Sequence, residues 1–465
     1  MDMNELFYDA SAETGNMESE EMLLKALAAG YGTDSATFTG GRALIPEDCE
    51  TTMVNAMREQ PEDCLIMNTF KKRPVKSTVH EYNRRTGTGG IEFGTTEEGG
   101  FSEEDGQEIE RVTRNVKYIQ QYREVTEQMN VVVSFENAFE SEKLAGTLNI
   151  LKIAERLCIH GNADVIPTEF DGMIRQIQKA NPARRNILDF RGKKIIDKGE
   201  KFFPEITRMI FDQGGSANKA FFPTILSEDI QALTLERQRL VTGDKGMVPV
   251  FDSYPTPMGT IQIGANANAG PDKLFFPKGK IVTKGDPVKK PNKPTFTAVA
   301  AAASGSQFTA GNHTYQVFAV NNRGISEANS VNVAVASGEA VTLTVTPDVS
   351  KPGTGFIIAR TEPGGTTPME MVRIPANPNN AGQTVFVDLN EDLPGTTEML
   401  IITEKKIQTV AEFYQLLPLR LYRMNPVNRL VIPFILALWG VLDLKNPEWC
   451  GLIKNIGYEG GLYHG

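Results

Sequence analysis

The sequence is poor in the side chains that carry most enzyme chemistry, with four histidines, four cysteines and two tryptophans in 465 residues. Cys49, Cys64, Cys158 and Cys450 are scattered and form no CxxC pair. This excludes a clustered thiolate metal site and a compact disulfide framework. No secretory leader opens the sequence, so reduced thiols and assembly in a cytoplasm are expected. His80, His160, His313 and His464 are far apart in sequence and supply few candidates for a Ser-His-Asp triad or a histidine metal centre. Long apolar runs are also lacking. The longest near the C-terminus, LVIPFILALWGVLDL from Leu430, contains Pro433 and falls short of the ~18 residues that span a bilayer. It reads as buried sheet, and no membrane association is expected. Basic charge is in deficit, with 48 Lys and Arg against 58 Asp and Glu and a net charge of -10. The chain as a whole therefore lacks the footprint of a nucleic-acid reader.

What is present is a chain long enough for two or three domains, with 40% hydrophobic residues. Residues 1–34 form an acidic arm with one short amphipathic helix in MESEEMLLKALAAG, whose apolar face is Met22, Leu23, Leu24 and Leu27. That face is too small to fold alone and needs another surface. Next, RPVKSTVHEYNRR suits a strand, and IERVTRNVKYIQQYREVT alternates Val112, Arg114, Val116 and Tyr118 against Arg111, Thr113, Asn115 and Lys117. Two polar strands joined by a long tip make a hairpin that is marginal without a partner surface. Ser134 is expected to cap a long helix ended by Gly161. At about 25 residues it would be a rod of ~40 Å. Leu144, Leu148, Leu151 and Leu157 would pack on a sheet, leaving Glu140, Glu142, Lys143, Lys152 and Glu155 in water. A further helix is expected to start with Ser227 as its cap.

The tip of the hairpin, RRTGTGGIEFGTTEEGGFSEEDG at 84–106, is glycine-rich and invites a test for phosphate binding. A dinucleotide loop needs GxGxxG between strand and helix. Here Gly87 and Gly89 are followed by Glu92 in the third position, and another strand comes next. No glycine of the run precedes a lysine, and its acids would repel phosphate. The run reads as a hairpin tip, and Arg73, Arg84, Arg85, Glu103, Glu104, Asp105, Arg111 and Arg114 are the candidate inter-subunit contacts of hairpin and tip. Elsewhere GGSAN around Ser216 departs from a nucleophile elbow at Asn218. Glu169, Asp171 and Asp189 are candidate carboxylates of a kind too common to define a site. No catalytic, cofactor or metal site is expected. The basic run at 175–198 matches the acidic arm in charge, and subunit-to-subunit complementarity is its expected use.

The linker GDPVKKPNKPTF, with Pro287, Pro291 and Pro294, marks a sharp change in composition. Beyond it TFTAVAAAA, HTYQVFAVNN, VNVAVA, AVTLTVTP, GFIIART, MEMVRIP and TVFVDLN read as seven strands of a β-sandwich. YQVFAVNNRGISEAN resembles the strand and turn of fibronectin type III and Ig-like modules, although there that element falls late in the order. Apolar residues after 400 need the core begun before the linker, so the sandwich reads as an insertion into an α+β domain.

The order of parts, together with KRPVKSTVHEY, TEFDG at Phe170, VFVDLNEDLP at Asp388, FYQLLPL and ILALWGVLDLKNPEWCGLIKNI, resembles the major capsid proteins of tailed bacteriophages. Among these it is most similar to the SPO1-like and Twort-like myoviruses. The resemblance implies an α+β, HK97-like capsid fold with an inserted all-β Ig-like sandwich. The expected parts are an N-terminal arm (1–67), an E-loop hairpin (68–130), a peripheral domain with the spine helix (131–200), the first part of an axial domain (201–285), the sandwich (286–398) and a return to the axial and peripheral core (399–465). It further implies hexamers and pentamers of an icosahedral virion shell around double-stranded DNA, assembled in the host cytoplasm. Scaffold, prohead protease, portal and decoration proteins would be its partners, and packaged DNA a non-specific neighbour. The alternative function is another virion or surface protein using an Ig-like domain for cell-surface or glycan adhesion.

Overall fold

The computed structural model describes residues 67, 69–87, 106–131, 137–234, 241–243, 246–248, 253–263, 278–377, 382–404, 409–426 and 429–463. Before the linker the strands are β1 (Lys71–Pro74), β2 (Val79–Gly87), β3 (Glu108–Asn115), β4 (Lys117–Thr126), β5 (Ile187–Asp189), β6 (Lys219–Phe221), β7 (Val241–Gly243), β8 (Gly246–Val248), β9 (Ser253–Thr256) and β10 (Gly259–Ile263). From the linker on they are β11 (Lys284–Gly285), β12 (Thr295–Ala302), β13 (Gly311–Asn321), β14 (Gly324–Ile325), β15 (Asn329–Val335), β16 (Glu339–Thr346), β17 (Gly355–Arg360), β18 (Met369–Pro375) and β19 (Thr384–Asp388). The last four are β20 (Thr397–Ile402), β21 (Ala411–Arg423), β22 (Val431–Leu444) and β23 (Gly451–Ile456). The helices are α1 (Glu127–Val131), α2 (Ala138–His160), α3 (Met173–Lys179), α4 (Ile195–Lys198), α5 (Phe202–Asp212) and α6 (Ile225–Thr234). The chain is of the α+β class.

The first layer is a four-stranded sheet in the order β1-β21-β22-β4. The apolar run near the C-terminus becomes β22, flanked on both edges and covered by α2, which is why it reads as nearly continuous hydrophobics. Phe434, Leu436 and Leu438 pack with Ile119, Phe139, Ile150 and Ala154 in one core. Phe139 meets Phe434 edge to face at 5.1 Å between ring centroids. The second layer is a six-stranded sheet, β5-β23-β20-β6-β10-β9. Phe202, Phe203, Ile206 and Ile210 of α5 bury against its Ile401 and Ile453.

The long helix is 23 residues, about 35 Å at 1.5 Å per residue. Its cap is Asn137, whose side chain accepts from the Phe139 and Glu140 N–H groups. The expected cap, Ser134, lies outside the described residues. Two other expectations about this helix fail. Leu144 is 57% exposed and Glu155 is only 5% exposed; in the second half of the helix a wide face carrying Ile150, Ala154, Leu157, Cys158 and Ile159 is buried and takes Glu155 with it, while Ile153 and Arg156 stay exposed. Gly161 does end the helix, but with φ of -53°, so the left-handed turn usual for a terminal glycine is not the reason. A Cβ there would lie 2.2 Å from the Phe170 carbonyl oxygen and 2.5 Å from that of Leu157. The requirement is close approach of two backbones. α6 begins at Ile225, two residues before the expected Ser227 cap. Turns from Pro223 and Thr224 start it, and Ser227 Oγ donates to the Thr224 carbonyl at 2.5 Å.

The chain leaves the six-stranded sheet after β10 and re-enters it at β20, beside β6. Between these lie two antiparallel sheets, β12-β16-β19 and β15-β13-β17-β18, with the short pair β11 and β14 at one end. All seven stretches read from alternation are strands. YQVFAVNN lies in β13, paired both with β15, which follows it, and with β17. Val317, Val341, Leu343, Phe356 and Ile358 fill the space between the sheets. One buried ion pair joins them, Arg360 Nη1 to Asp388 Oδ2 at 2.6 Å, and Tyr315 OH donates to the same oxygen at 2.8 Å. The sandwich does not stand free of the rest. Val165 and Ile166, just past α2, pack against Phe318, Val320, Ile357 and Ala359. Asn455 reinforces the joint, accepting from Leu393 N–H at 3.0 Å and donating to the Glu391 carbonyl at 2.8 Å.

Gly161→Ala is expected to lower stability by about 1–3 kcal/mol through backbone overpacking. A urea titration followed by far-UV circular dichroism measures it, and an unchanged midpoint would show that the helix end tolerates a side chain.

Candidate functional site

The strand expected from RPVKSTVHEYNRR is two strands. β1 joins the four-stranded sheet in parallel with β21, and β2 pairs with β3 in a separate two-stranded ribbon. The second hairpin strand divides in the same way at the buried Val116, where β3 leaves the ribbon and β4 enters the sheet beside β22. The inward side switches at the second break: Val112, Arg114 and Val116 face inward before it, whereas Ile119 and Val125 are buried after it and Tyr118, expected on the face of Val116, is 52% exposed. The ribbon is thus an outgrowth of the central sheet, rooted on both sides.

Its stem rests on the chain's own body. Arg114 Nε donates to Asp443 Oδ1 at 2.8 Å and its Nη2 to Gln176 Oε1 at 3.2 Å. Tyr82 OH donates to the same Asp443 oxygen at 3.3 Å. Arg84 bridges Glu110 across the ribbon at 2.7 Å and Glu448 on the body at 3.1 Å. The ring of His80 stacks on Tyr414 with centroids 3.8 Å apart. Open grooves of about 930 and 640 Å³ flank the stem, sharing Tyr82, Arg84, Thr86 and Glu448.

Beneath the stem two carboxylates face each other. Glu412 and Asp443 are register partners on β21 and β22, and both side chains are fully buried. Like charges so placed repel unless each is countered. Arg73 at 2.8 Å and Lys445 at 2.9 Å counter Glu412, which also accepts from Tyr414 OH at 2.8 Å. Arg114 and Tyr82 serve Asp443. Burial would raise the Glu412 carboxyl, but the hydrogen bonds from Lys445 and Tyr414 and the nearby cations outweigh it and hold it below the usual range. Burial lowers the His80 imidazole and raises the Tyr82 phenol, so both are neutral at pH 7.

The nominated residues therefore divide. Arg73 is on β1, outside the ribbon, and is paired with Glu412. Arg84 and Arg114 hold the stem to its own chain, which corrects the expectation that the ribbon depends wholly on another subunit. Arg111 pairs with Glu81 across the ribbon's solvent side. Arg85 is exposed, opposite the exposed Ile109, and has no ion pair among the described residues. Glu103, Glu104 and Asp105 lie outside the described residues. Sequence reasoning missed Asp443, Glu448 and Glu412, although a lone acid inside the run LALWGVLDL signals a buried charge that must find a partner.

Glu169 and Asp171 both cap the turn after α2, accepting from the neighbouring Asn162 and Ala163 N–H groups, and each has a cationic partner. Glu169 faces Arg156 at 3.7 Å, Asp171 holds Lys179 at 2.8 Å, and Asp189 accepts from Asn455 at 2.8 Å. In the basic run, Arg175 and Lys179 are neutralised by Asp164 and Asp171 within this chain. Arg191 pairs with Asp189 at 3.3 Å, whereas Arg185, Lys193, Lys194 and Lys198 have no ion pair among the described residues, and the acidic arm lies outside those residues. Among the described residues, no helix is long and apolar enough to cross a membrane.

The family described as SU10 major capsid protein matches residues 33–284. A putative major capsid protein of Enterococcus phage phiEF24C is 23% identical over 466 residues, covering 94% of this chain and 95% of that one. The major capsid protein of Staphylococcus phage S25-3 is also 23% identical, over 94% of this chain and 96% of its own length. A solved chain from the capsid of a native GTA particle aligns with a TM-score of 0.47 at 8% identity, covering 92% of this chain and 100% of that chain.

Asp443→Ala removes the shared acceptor of Arg114 and Tyr82. It is expected to destabilise the fold by about 3 kcal/mol and to speed amide exchange in β2 and β3 more than elsewhere, read by hydrogen-exchange mass spectrometry. Acid should loosen the same seat. Because Glu412 is lowered in the folded chain, its contribution is complete above an unfolded value of about 4.3 and is lost as pH falls through the folded value. Glu412→Gln should flatten the acid limb of stability against pH below about pH 4.

Proposed function

This chain belongs to the SU10 major capsid protein family and is a structural subunit of a virion shell, and from that premise we propose how it assembles. The subunits form hexamers and pentamers of an icosahedral head around double-stranded DNA, with an HK97-like division into arm, E-loop, peripheral and axial parts at the boundaries given above. The sandwich is an Ig-like module inserted in the axial part, with the strand order of such modules rearranged. The observation that carries the reading is the ribbon: its stem is fixed by Asp443 and Glu448 of its own chain, while Arg85 and Ile109 at its far end remain exposed. A rooted stem whose end carries a cation without an ion pair among the described residues and an exposed apolar side chain fits a contact made to a neighbouring copy. Arg111 and the acids Glu103, Glu104 and Asp105 belong to the same contact. Scaffold, prohead protease, portal and decoration proteins are further partners of such a subunit, and packaged DNA is a neighbour without sequence-specific contact.

The role is structural and needs no catalytic site. Adhesion through the sandwich is not favoured, since the curated relatives match over 94% of the chain and are themselves capsid proteins. Removing residues 88–105 and closing the ribbon with a two-residue turn should leave the thermal midpoint of the subunit nearly unchanged. Shell yield should fall at least about tenfold, as for loss of a central interface contact. Sedimentation and electron microscopy of co-expressed particles measure it, and a full yield of normal shells would sink the assignment of the ribbon tip.

A further inference from the structure

One charged surface is left unused by the shell reading. At the linker end of the sandwich three loops come together. The linker strand β11 pairs with β14, Asn321 Nδ2 donates to the Lys289 carbonyl at 3.2 Å, and Lys351 Nζ donates to the Val288 carbonyl at 2.8 Å. The crossing is built for contact. Gly285 at φ 111° and Gly324 at φ 156° face each other, and a Cβ on either would lie within 2.3 Å of the opposing backbone. Pro287, Pro291 and Pro294 stiffen the linker across it.

These loops carry Lys284, Lys289, Lys290, Lys293, Arg323 and Lys351, all exposed except the half-buried Lys290. Their two acids are committed to local turns. Asp348 accepts from Asn292, Ser350 N–H and Lys351 N–H, and Asp286 accepts from Val288 N–H, with Lys289 at 3.8 Å. Among the described residues Lys284, Lys290, Lys293 and Arg323 have no ion pair. A chain of net charge -10 thus concentrates uncompensated positive charge on one built corner.

We propose that this corner binds the acidic segment 2–21 of a second copy of the chain. That segment carries seven carboxylates and no lysine or arginine. Its charge is opposite in sign to that of the patch. The segment lies more than 40 residues before the first described residue, Met67, and an extended chain of that length reaches on the order of 150 Å. Reach to a neighbouring copy is therefore no obstacle. The lysines are flexible point charges without interleaved aromatics, which suits a carboxylate-rich peptide bound by charge more than by shape. This inference uses the shell reading only for the presence of neighbouring copies.

The test is zero-length carbodiimide cross-linking of full-length particles assembled from mixed heavy- and light-isotope subunits, read by peptide mass spectrometry. Mixed-isotope links from acids of segment 2–21 to lysines 284–293 or 351 are expected. They should weaken about fivefold or more between low and high salt. The triple variant Lys284→Glu, Lys290→Glu and Lys293→Glu should lose the remaining links to Lys289 and Lys351. Adding Glu18→Lys, Glu20→Lys and Glu21→Lys should restore particle stability against salt. Links confined to single-isotope pairs would overturn the second-copy assignment, and particles showing no such links would overturn the proposal while leaving the shell reading intact. Protection of the patch lysines from acylation only in DNA-filled particles would assign the surface to nucleic acid instead.

Discussion

Strand β22 is the element on which the rest of the structure depends. It sits between β21 and β4, receives the long helix α2 on one face, and places Asp443 under the stem of the ribbon. The apolar content of the run fixes the strand in the core, and its single acid fixes what must lie above it. A buried carboxylate in a hydrophobic strand is tolerated only where donors reach it. Arg114 and Tyr82 arrive from the ribbon for that reason, so the placement of the ribbon stem follows from the chemistry of the core strand.

The same logic explains how the chain accommodates a whole β-sandwich between two strands of one sheet. β10 and β20 both flank β6, so the points of departure and return lie close together and the sheet closes without the insertion. The insertion nevertheless packs back. The apolar joint at Val165 and Ile166 and the bonds of Asn455 hold it to the end of α2 and to β23.

Much of this was legible from the residues, and the gaps have physical causes. Most of the seven sandwich strands are readable because they alternate apolar and polar residues between short turns, while β17, GFIIAR, is an unbroken apolar run up to Arg360 and is buried on both faces. The ribbon strands are readable too, but their division at Val116 is not, since Val112, Val116 and Tyr118 keep an apolar spacing of strand type while the buried side switches to Ile119 and Val125. Burial of Glu155 is not readable from the pattern, because one wet and one dry face presume a narrow contact, whereas the second half of α2 buries a wider face that leaves Ile153 and Arg156 outside. The candidate contacts were chosen for charge alone. Arg84 and Arg114 turned out to be partners of Glu448 and Asp443, acids remote in sequence whose proximity only the fold creates. Arg85 remains exposed.

The way the ribbon is rooted also sets its mechanical character. β3 runs through Val116 directly into β4, which is held to β22 over ten register pairs, and β2 connects back through a short bend to β1 along β21. Tension on the ribbon is therefore directed along the sheet strands and loads their hydrogen bonds side by side in shear, not one after another as in peeling. An outgrowth anchored in this way can transmit force into the body of the subunit, and the contacts of Tyr82, Arg84 and Arg114 brace its two-stranded stem against that body.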